Sequence, residues 1–559
     1  MIFYIVFNLN PLPMSFNIDI HCHSSSKPFM SRIGQQKHTP FETYNFEISH
    51  PIYQMLRKPL QQFSKIRFTT QSNFDHMYQG GVRVAMISIT PIEKAFTVLN
   101  PQAASFKSQL MQTFLKEKSN YRDGFLSSYA INALTGYHVK DIDDVKGKYY
   151  DVFNDLFMKE MQYLSSFQNQ KGLNGQYSIR FPKNYQELSN NIQDDRILNI
   201  IITLEGAHAL GQFETLQTIQ QGVHNTHMTD SNQYALGNQL CKNLKEIRTK
   251  FPIPIFSISL CHHFWNGLAG HARSLNNLMS EIVNQEEGIN SGLQTNGIML
   301  IAEMAKTTYN QQKVSPIHVD IKHMSPQSRK EYYQYRKSTP ELRQTPIICS
   351  HTGISMSFET LDAWIHYVQN NPLEKEGKQY AEGAYYLHEK SINLCREDLV
   401  EIYHAKGIIG IQLDEKRIMG PLALEELNKK HKAGDEDQLK YVYAKTIWAN
   451  IFCVIDEIKE AGVADLRKAW DMICIGSDFD GLINHLACFE SAAKMEALKY
   501  TMGYFLEEPQ GIPLYYKDAQ NQYTLSIEKM EQLKAGYSNH ALIDKIFNQN
   551  AMQFLRDNF

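Results

Sequence analysis

Nowhere does an apolar stretch reach the roughly 18 residues that a bilayer-spanning helix requires, so no transmembrane segment is expected. An excess of charge of one sign is also missing. With 56 Lys and Arg against 59 Asp and Glu, the net charge is −3, and there is no basic footprint for nucleic acid. No two of the eight cysteines form a C-x-x-C pair. Scattered as they are, they predict buried free thiols in a reducing, cytoplasmic setting rather than a disulfide framework or a zinc knuckle. No G-x-S-x-G elbow, P-loop or G-x-G-x-x-G fingerprint is present, which argues against nucleophile-elbow, phosphate-cradling and dinucleotide chemistry. Low-complexity tracts and short repeats are absent, as is any Pro/Gly/Ser linker. One elaborated domain over 1–559 is the simplest organisation. The opening MIFYIVFNLNPLPM lacks a basic n-region and a small-residue cleavage site. It supports secretion only weakly, leaves that route open, and admits Met14 as an alternative start.

What the chain does have is a slow alternation. Eight short apolar runs recur: 16–23, 82–90, 197–206, 253–263, 316–323, 345–351, 407–414 and 472–481. Their near-continuous hydrophobicity predicts strands covered on both faces, as in a parallel sheet. Helical patterns lie between them, among them 148–167 and 439–462, the latter stopping at Gly462. Eight strands alternating with helices match an α/β (β/α)8 TIM-like barrel. A doubly wound open sheet is the rival that strand counting alone leaves standing. A minimal barrel takes roughly 250 residues, so large helical insertions are expected around 91–196, 352–406 and 415–471. The C-terminal tail should end in a packing helix, IDKIFNQNAMQFLRDNF.

The ends of these runs favour the barrel. Nearly every one carries polar residues: His21 and His23, Glu205, His262 and His263, His323, His351, Asp414, Asp478. In a barrel such ends converge on one mouth; an open sheet spreads them along an edge. In DIHCH, residues 19–23, alternation on a strand would put Asp19, His21 and His23 on one face. Two imidazoles so placed can hold a metal, or can simply be a polar strand end meeting water. Glu205 follows a long apolar run and needs a partner to offset its desolvation; a salt-bridged strand end would satisfy that equally. A single strand-end histidine such as His323 or His351 is as readily a hydrogen-bonded core residue. In SDFDG, Gly476 and Gly481 suggest a tight turn, and Asp480 competes with Asp478 for any functional role.

Taken jointly, His/His, Glu, His and His from four strands are ligands that zinc accepts. Four histidines with one carboxylate able to bridge suit two ions roughly 3.5–4 Å apart. Such a pair lowers the pKa of a shared water toward 7 and polarises a carbonyl. A nearby ionised aspartate can then carry the proton to a leaving amine.

DIHCH, TLEGAHAL, SLCHHFWNGLAGHARS, HVDIKHMS, ICSHTG and IGSDFDG stand in the order found in the membrane (renal) dipeptidase family of the amidohydrolase superfamily, which the chain resembles from residue 16 to IFNQNAMQFLR. That resemblance implies a two-zinc barrel cleaving dipeptides. It makes His21 and His23 ligands of one metal, Glu205 the bridge, and His323 and His351 ligands of the second. His262 would meet the substrate carbonyl or the tetrahedral oxyanion, Asp478 would transfer the proton, and His208 would lend support from behind. Two departures stand out. The family usually has Asp where His23 stands, which removes a negative charge. The family's carboxylate-binding arginine has no counterpart in 350–369, a segment without Arg or Lys. Either an insertion residue such as Arg417 or Lys416 supplies the cation, or the substrate is another amide, an N-acyl compound or a lactone. A catalytically silent scaffold is the reading from a different class. The partner expected is a small dipeptide-like molecule, with a homodimer left open.

Overall fold

In the computed structural model, the described residues are 16–30, 38–44, 69–97, 128, 131–132, 137–146, 151–211, 234–275, 283–309, 311–370, 384–517, 520 and 522–559. The N-terminal stretch 1–15, with the question of Met14, lies outside them, as does much of the expected insertion 91–196.

All eight expected strands form. They are β1 (Asn17–Cys22), β2 (Val82–Ile89), β3 (Ile197–Glu205), β4 (Ile255–Ser259), β5 (His318–Asp320), β6 (Ile348–Thr352), β7 (Ile408–Ile411) and β8 (Ile473–Ile475). Each pairs in parallel with the next, in chain order. The ring closes between β1 and the segment after β8: His23 N–H donates to Phe479 O at 2.8 Å and Asp478 N–H to His21 O at 2.9 Å. This is a (β/α)8 barrel with helical insertions, and the open-sheet rival falls.

Burial explains why these runs are strands. Alternate residues of β3, Ile200, Ile202 and Leu204, pack outward into the main core against the helices. Ile201 instead joins Ile18, Val84, Phe256, Ile348 and Ile408 in a separate inner cluster. Phe554 and Leu555 complete that cluster, so the expected C-terminal packing helix (Asn550–Asn558) seals the end of the barrel opposite the mouth. The two sequence-predicted helices are also present, as Phe153–Phe157 running into Met158–Ser165 and as Glu436–Glu460. The second ends just before Gly462, whose φ is +80°.

Two features were not anticipated. Tyr177–Arg180 adds a parallel strand beside the start of β3. Ala384–Tyr385, Ile512–Tyr516 and Gln522–Leu525 form a three-stranded antiparallel sheet outside the barrel. All eight cysteines are free, and Cys349 and Cys474 sit within β6 and β8. No helix among the described residues is long and apolar enough to cross a membrane.

Candidate metal centre

The strand ends meet around one carboxylate. Glu205, the last residue of β3, is 2% exposed. Its Oε1 lies 2.9 Å from His323 Nε2, 3.4 Å from His351 Nε2 and 3.7 Å from His21 Nε2. Its Oε2 lies 3.2 Å from His23 Nε2 and 3.6 Å from His262 Nε2. Asp478 Oδ1 approaches from the β8 end, 3.2 Å from His23 Nε2 and 3.8 Å from His21 Nε2. All seven residues singled out from the sequence are therefore brought together, from six strands. All of them but His21 line one partly open cavity.

Local structure fixes how each side chain points. The ladder of β1 shifts register between Asp19 and Cys22, so simple alternation breaks there. His21 and His23 reach Glu205, but Asp19 does not. It accepts from Ser477 N–H at 2.9 Å and Ser477 Oγ–H at 2.5 Å, tying β1 to β8. His23 Nδ1 is 3.0 Å from the Ser88 carbonyl. Only an Nδ1–H can make that bond, which leaves the Nε2 lone pair facing the cluster. His323 and Asp478 both have positive φ, +69° and +59°. That region is costly for residues other than glycine and recurs at functional sites.

The neighbouring aspartate is resolved too. Asp480 accepts from Lys27 Nζ at 2.7 Å, from the N–H groups of Gln71 and Ser72 at 2.9 and 2.7 Å, and from Ser72 Oγ at 2.7 Å. Its acceptor capacity is spent on structure. Asp478 Oδ2 is held by Gln412 Nε2 at 2.7 Å, leaving Oδ1 toward the histidines. Gly476 and Gly481 are not the expected turn glycines; positive φ falls on Asp478 and Asp480 instead. A Cβ at Gly476 would sit 1.9 Å from Ser350 O, and one at Gly481 2.3 Å from Asp478 Oδ1. Close approach, not turning, requires glycine there.

Sequence reading missed Glu93. It stands just past β2 and accepts the N–H groups of His263 and Phe264, both at 3.1 Å. Its Oε2 is 3.1 Å from His262 Nδ1, so it backs the imidazole whose Nε2 faces Glu205. His208 donates from Nε2 to the Pro91 carbonyl at 2.9 Å, on the same connection.

Electrostatics match the donor chemistry. Burial opposes ionisation of Glu205, but His262, His21, His23 and His323 prevail and hold its carboxyl well below the ordinary range. Burial pushes His21 down to about 4, and His323 and His351 well below the usual imidazole value. These rings are neutral at pH 7, the form that binds metal. Burial would also lower His23, yet Asp478 and Glu205 outweigh it and raise it to about 10. A cation bound there takes the place of that proton.

The spacing fits an ion. His21 Nε2 and His23 Nε2 are 3.2 Å apart. Two nitrogens each about 2.0–2.1 Å from a tetrahedral zinc are separated by about 3.3 Å. His21, His23 and Asp478 form one group able to hold an ion; His21, Glu205 and His351 form a second, and His262, His263 and His323 a third.

No family model matches the chain, and no curated protein matches it. Several solved structures are similar at low level. A metallopeptidase from Rhodobacter sphaeroides, bound to a phosphinate mimic of the dipeptide L-Ala-D-Ala, is 13% identical with a TM-score of 0.39, covering 93% of this chain and 100% of that one. A probable dipeptidase from Pseudomonas aeruginosa is 11% identical with a TM-score of 0.38, covering 91% and 98%. An amidohydrolase from Pseudomonas aeruginosa is 13% identical with a TM-score of 0.37, covering 87% and 91%.

Proposed function

We propose that this chain is a metal-dependent hydrolase that cleaves an amide bond in dipeptides or dipeptide-like molecules. One observation carries the reading: the two oxygens of a single buried carboxylate, Glu205, face imidazoles from four other strands. A carboxylate so surrounded bridges two ions more naturally than it serves any structural purpose. His21 and His23 would hold one metal, His323 and His351 the other, and Glu205 both. Two zinc ions are the assignment that imidazole and carboxylate ligands suit best. Such a pair supplies a water of lowered pKa and a Lewis acid for the scissile carbonyl.

The protein's own residues then have definite work. Asp478, with Oδ2 fixed by Gln412, turns Oδ1 toward the histidines, where it can take a proton from water and return it to the departing amine nitrogen. His262 is held from behind by Glu93, and Glu205 and Glu93 outweigh the effect of burial and favour its charged form. Its Nε2–H can donate to the oxygen on which negative charge develops. The apolar side chains of Ile92, Phe96 and Leu482 line the same cavity and would shield the reacting atoms from bulk water.

The test is hydrolysis by the zinc-loaded protein of Leu- and Ala-containing dipeptides, beside N-acyl amides and lactones. Release of free amino acids from dipeptides is expected. Turnover only of the lactones or N-acyl compounds would reassign the bond, and turnover of nothing would refute the enzyme.

A further inference from the structure

Two buried cations line this cavity without an ion-pair partner among the described residues. Lys322, one residue before His323, is 1% exposed, and its Nζ has no hydrogen-bond acceptor among the described residues. Arg417 lies on the short helix Glu415–Ile418 that follows β7 and is 7% exposed. Its Nη2 donates to the Ser274 carbonyl, while its Nη1 has no acceptor. Neither residue forms an ion pair within 4.0 Å among the described residues, although both contribute to the wall of the cavity. An uncompensated buried charge is costly, and buried charges are ordinarily paired. By contrast, the buried Lys27 meets Asp480 at 2.7 Å.

We infer that Lys322 and Arg417 form a binding site for a carboxylate carried by the substrate. This rests on the proposed hydrolase and narrows its substrate class. The guanidinium keeps one face committed to the Ser274 carbonyl, which orients it, and one nitrogen free for an anion. The lysine brings a second positive charge from a different strand end, so the anion is gripped from two sides. Bound metal would add further positive charge and leave these cations still more in need of an anion. Lys322 follows the end of β5 and Arg417 the end of β7, so both stand at the mouth of the barrel. Met30, Ile92, Phe96, Leu482 and Ile483 add an apolar zone to a lining that also carries Glu205, Asp414, Asp478 and Asp480. A molecule with a carboxylate at one end and an uncharged side chain at the other would suit the cations and that apolar zone.

Calorimetry on the zinc-loaded full chain tests this without requiring turnover. The probes are N-acetyl-L-alanine and its uncharged amide. The acid is expected to bind about 30-fold more tightly than the amide, the scale of a lost buried charge contact. Arg417→Gln and Lys322→Gln should each erase most of that preference while leaving amide binding unchanged. Equal binding of acid and amide by the wild type would overturn the inference, and that comparison needs no variant to fold. Retained preference in both variants would overturn it too, since the metal would then be the carboxylate's partner. If dipeptides are hydrolysed, Arg417→Gln should raise KM much more than it lowers kcat. A pure loss of kcat would count against the site. Absence of all turnover, with the acid still preferred, would refute the hydrolase and leave the anion site standing.

Discussion

At the scale of single residues, the two aspartates of SDFDG separate into different tasks. Asp478→Asn keeps the Gln412 contact and removes the proton acceptor. It is expected to retain metal but lower the hydrolytic rate by roughly 10²–10⁴-fold, measured on the best dipeptide. Asp480→Asn should instead lower Tm, because the ammonium of Lys27 and the donors of Ser72 lose a buried anion. The sequence could not divide the pair: both are acids flanking one phenylalanine, and only the contacts to Lys27, Gln71 and Ser72 distinguish them. Glu93 was invisible for another reason. It lies four residues past the end of β2, in a connection where an acid is unremarkable, and its partner His262 is far away in the chain. Glu160 offers a pH test. Burial raises its carboxyl from 4.5 to about 7, with one hydrogen bond from Ser25 and nearby His23 opposing that rise. A raised carboxyl favours the fold at acid pH, and that contribution is lost as pH climbs from about 4.5 to 7. Glu160→Gln should therefore match the wild type at pH 5 and exceed it at pH 8 by on the order of 1–3 kcal/mol, seen as a higher Tm.

At the scale of elements, the strands were readable because each must be apolar on both faces, a pattern that few other structures share. Their converging ends were readable because polar residues recur at the same end of nearly every run. The outer antiparallel sheet was not. Ala384–Tyr385 is two residues long, and its partner Ile512–Tyr516 lies more than a hundred residues onward, so no local periodicity marks the pairing. Nor does alternation reveal the shifted register of β1, where Asp19, expected on one face with His21 and His23, instead latches the barrel seam. Asp19→Ala leaves the Ser477 hydroxyl and N–H without an acceptor in a buried site. A loss of about 2–3 kcal/mol is expected, read as a fall in Tm. Metal affinity should drop with it, because His21 and Asp478 sit on the two sides of that seam.

At the scale of the whole molecule, six strands far apart in the chain converge on one cluster, so an ion bound there would couple to folding. A ligand that binds only the folded state stabilises it by about 4 kcal/mol at a thousand times its dissociation constant. Removing metal with a chelator should lower Tm, and adding zinc back should restore it. Metal-free protein should also lose stability on acidification from about pH 6.5 toward 4. His21 stays neutral in the fold down to about 4, while the unfolded chain takes up its proton near 6.5. The most direct measurement is metal stoichiometry, by elemental analysis of protein dialysed against dilute zinc and then against metal-free buffer. About two ions per wild-type chain are expected, with Glu205→Ala losing both together. Fewer than one ion per wild-type chain, unrestored by added zinc, would contradict the two-ion centre on Glu205.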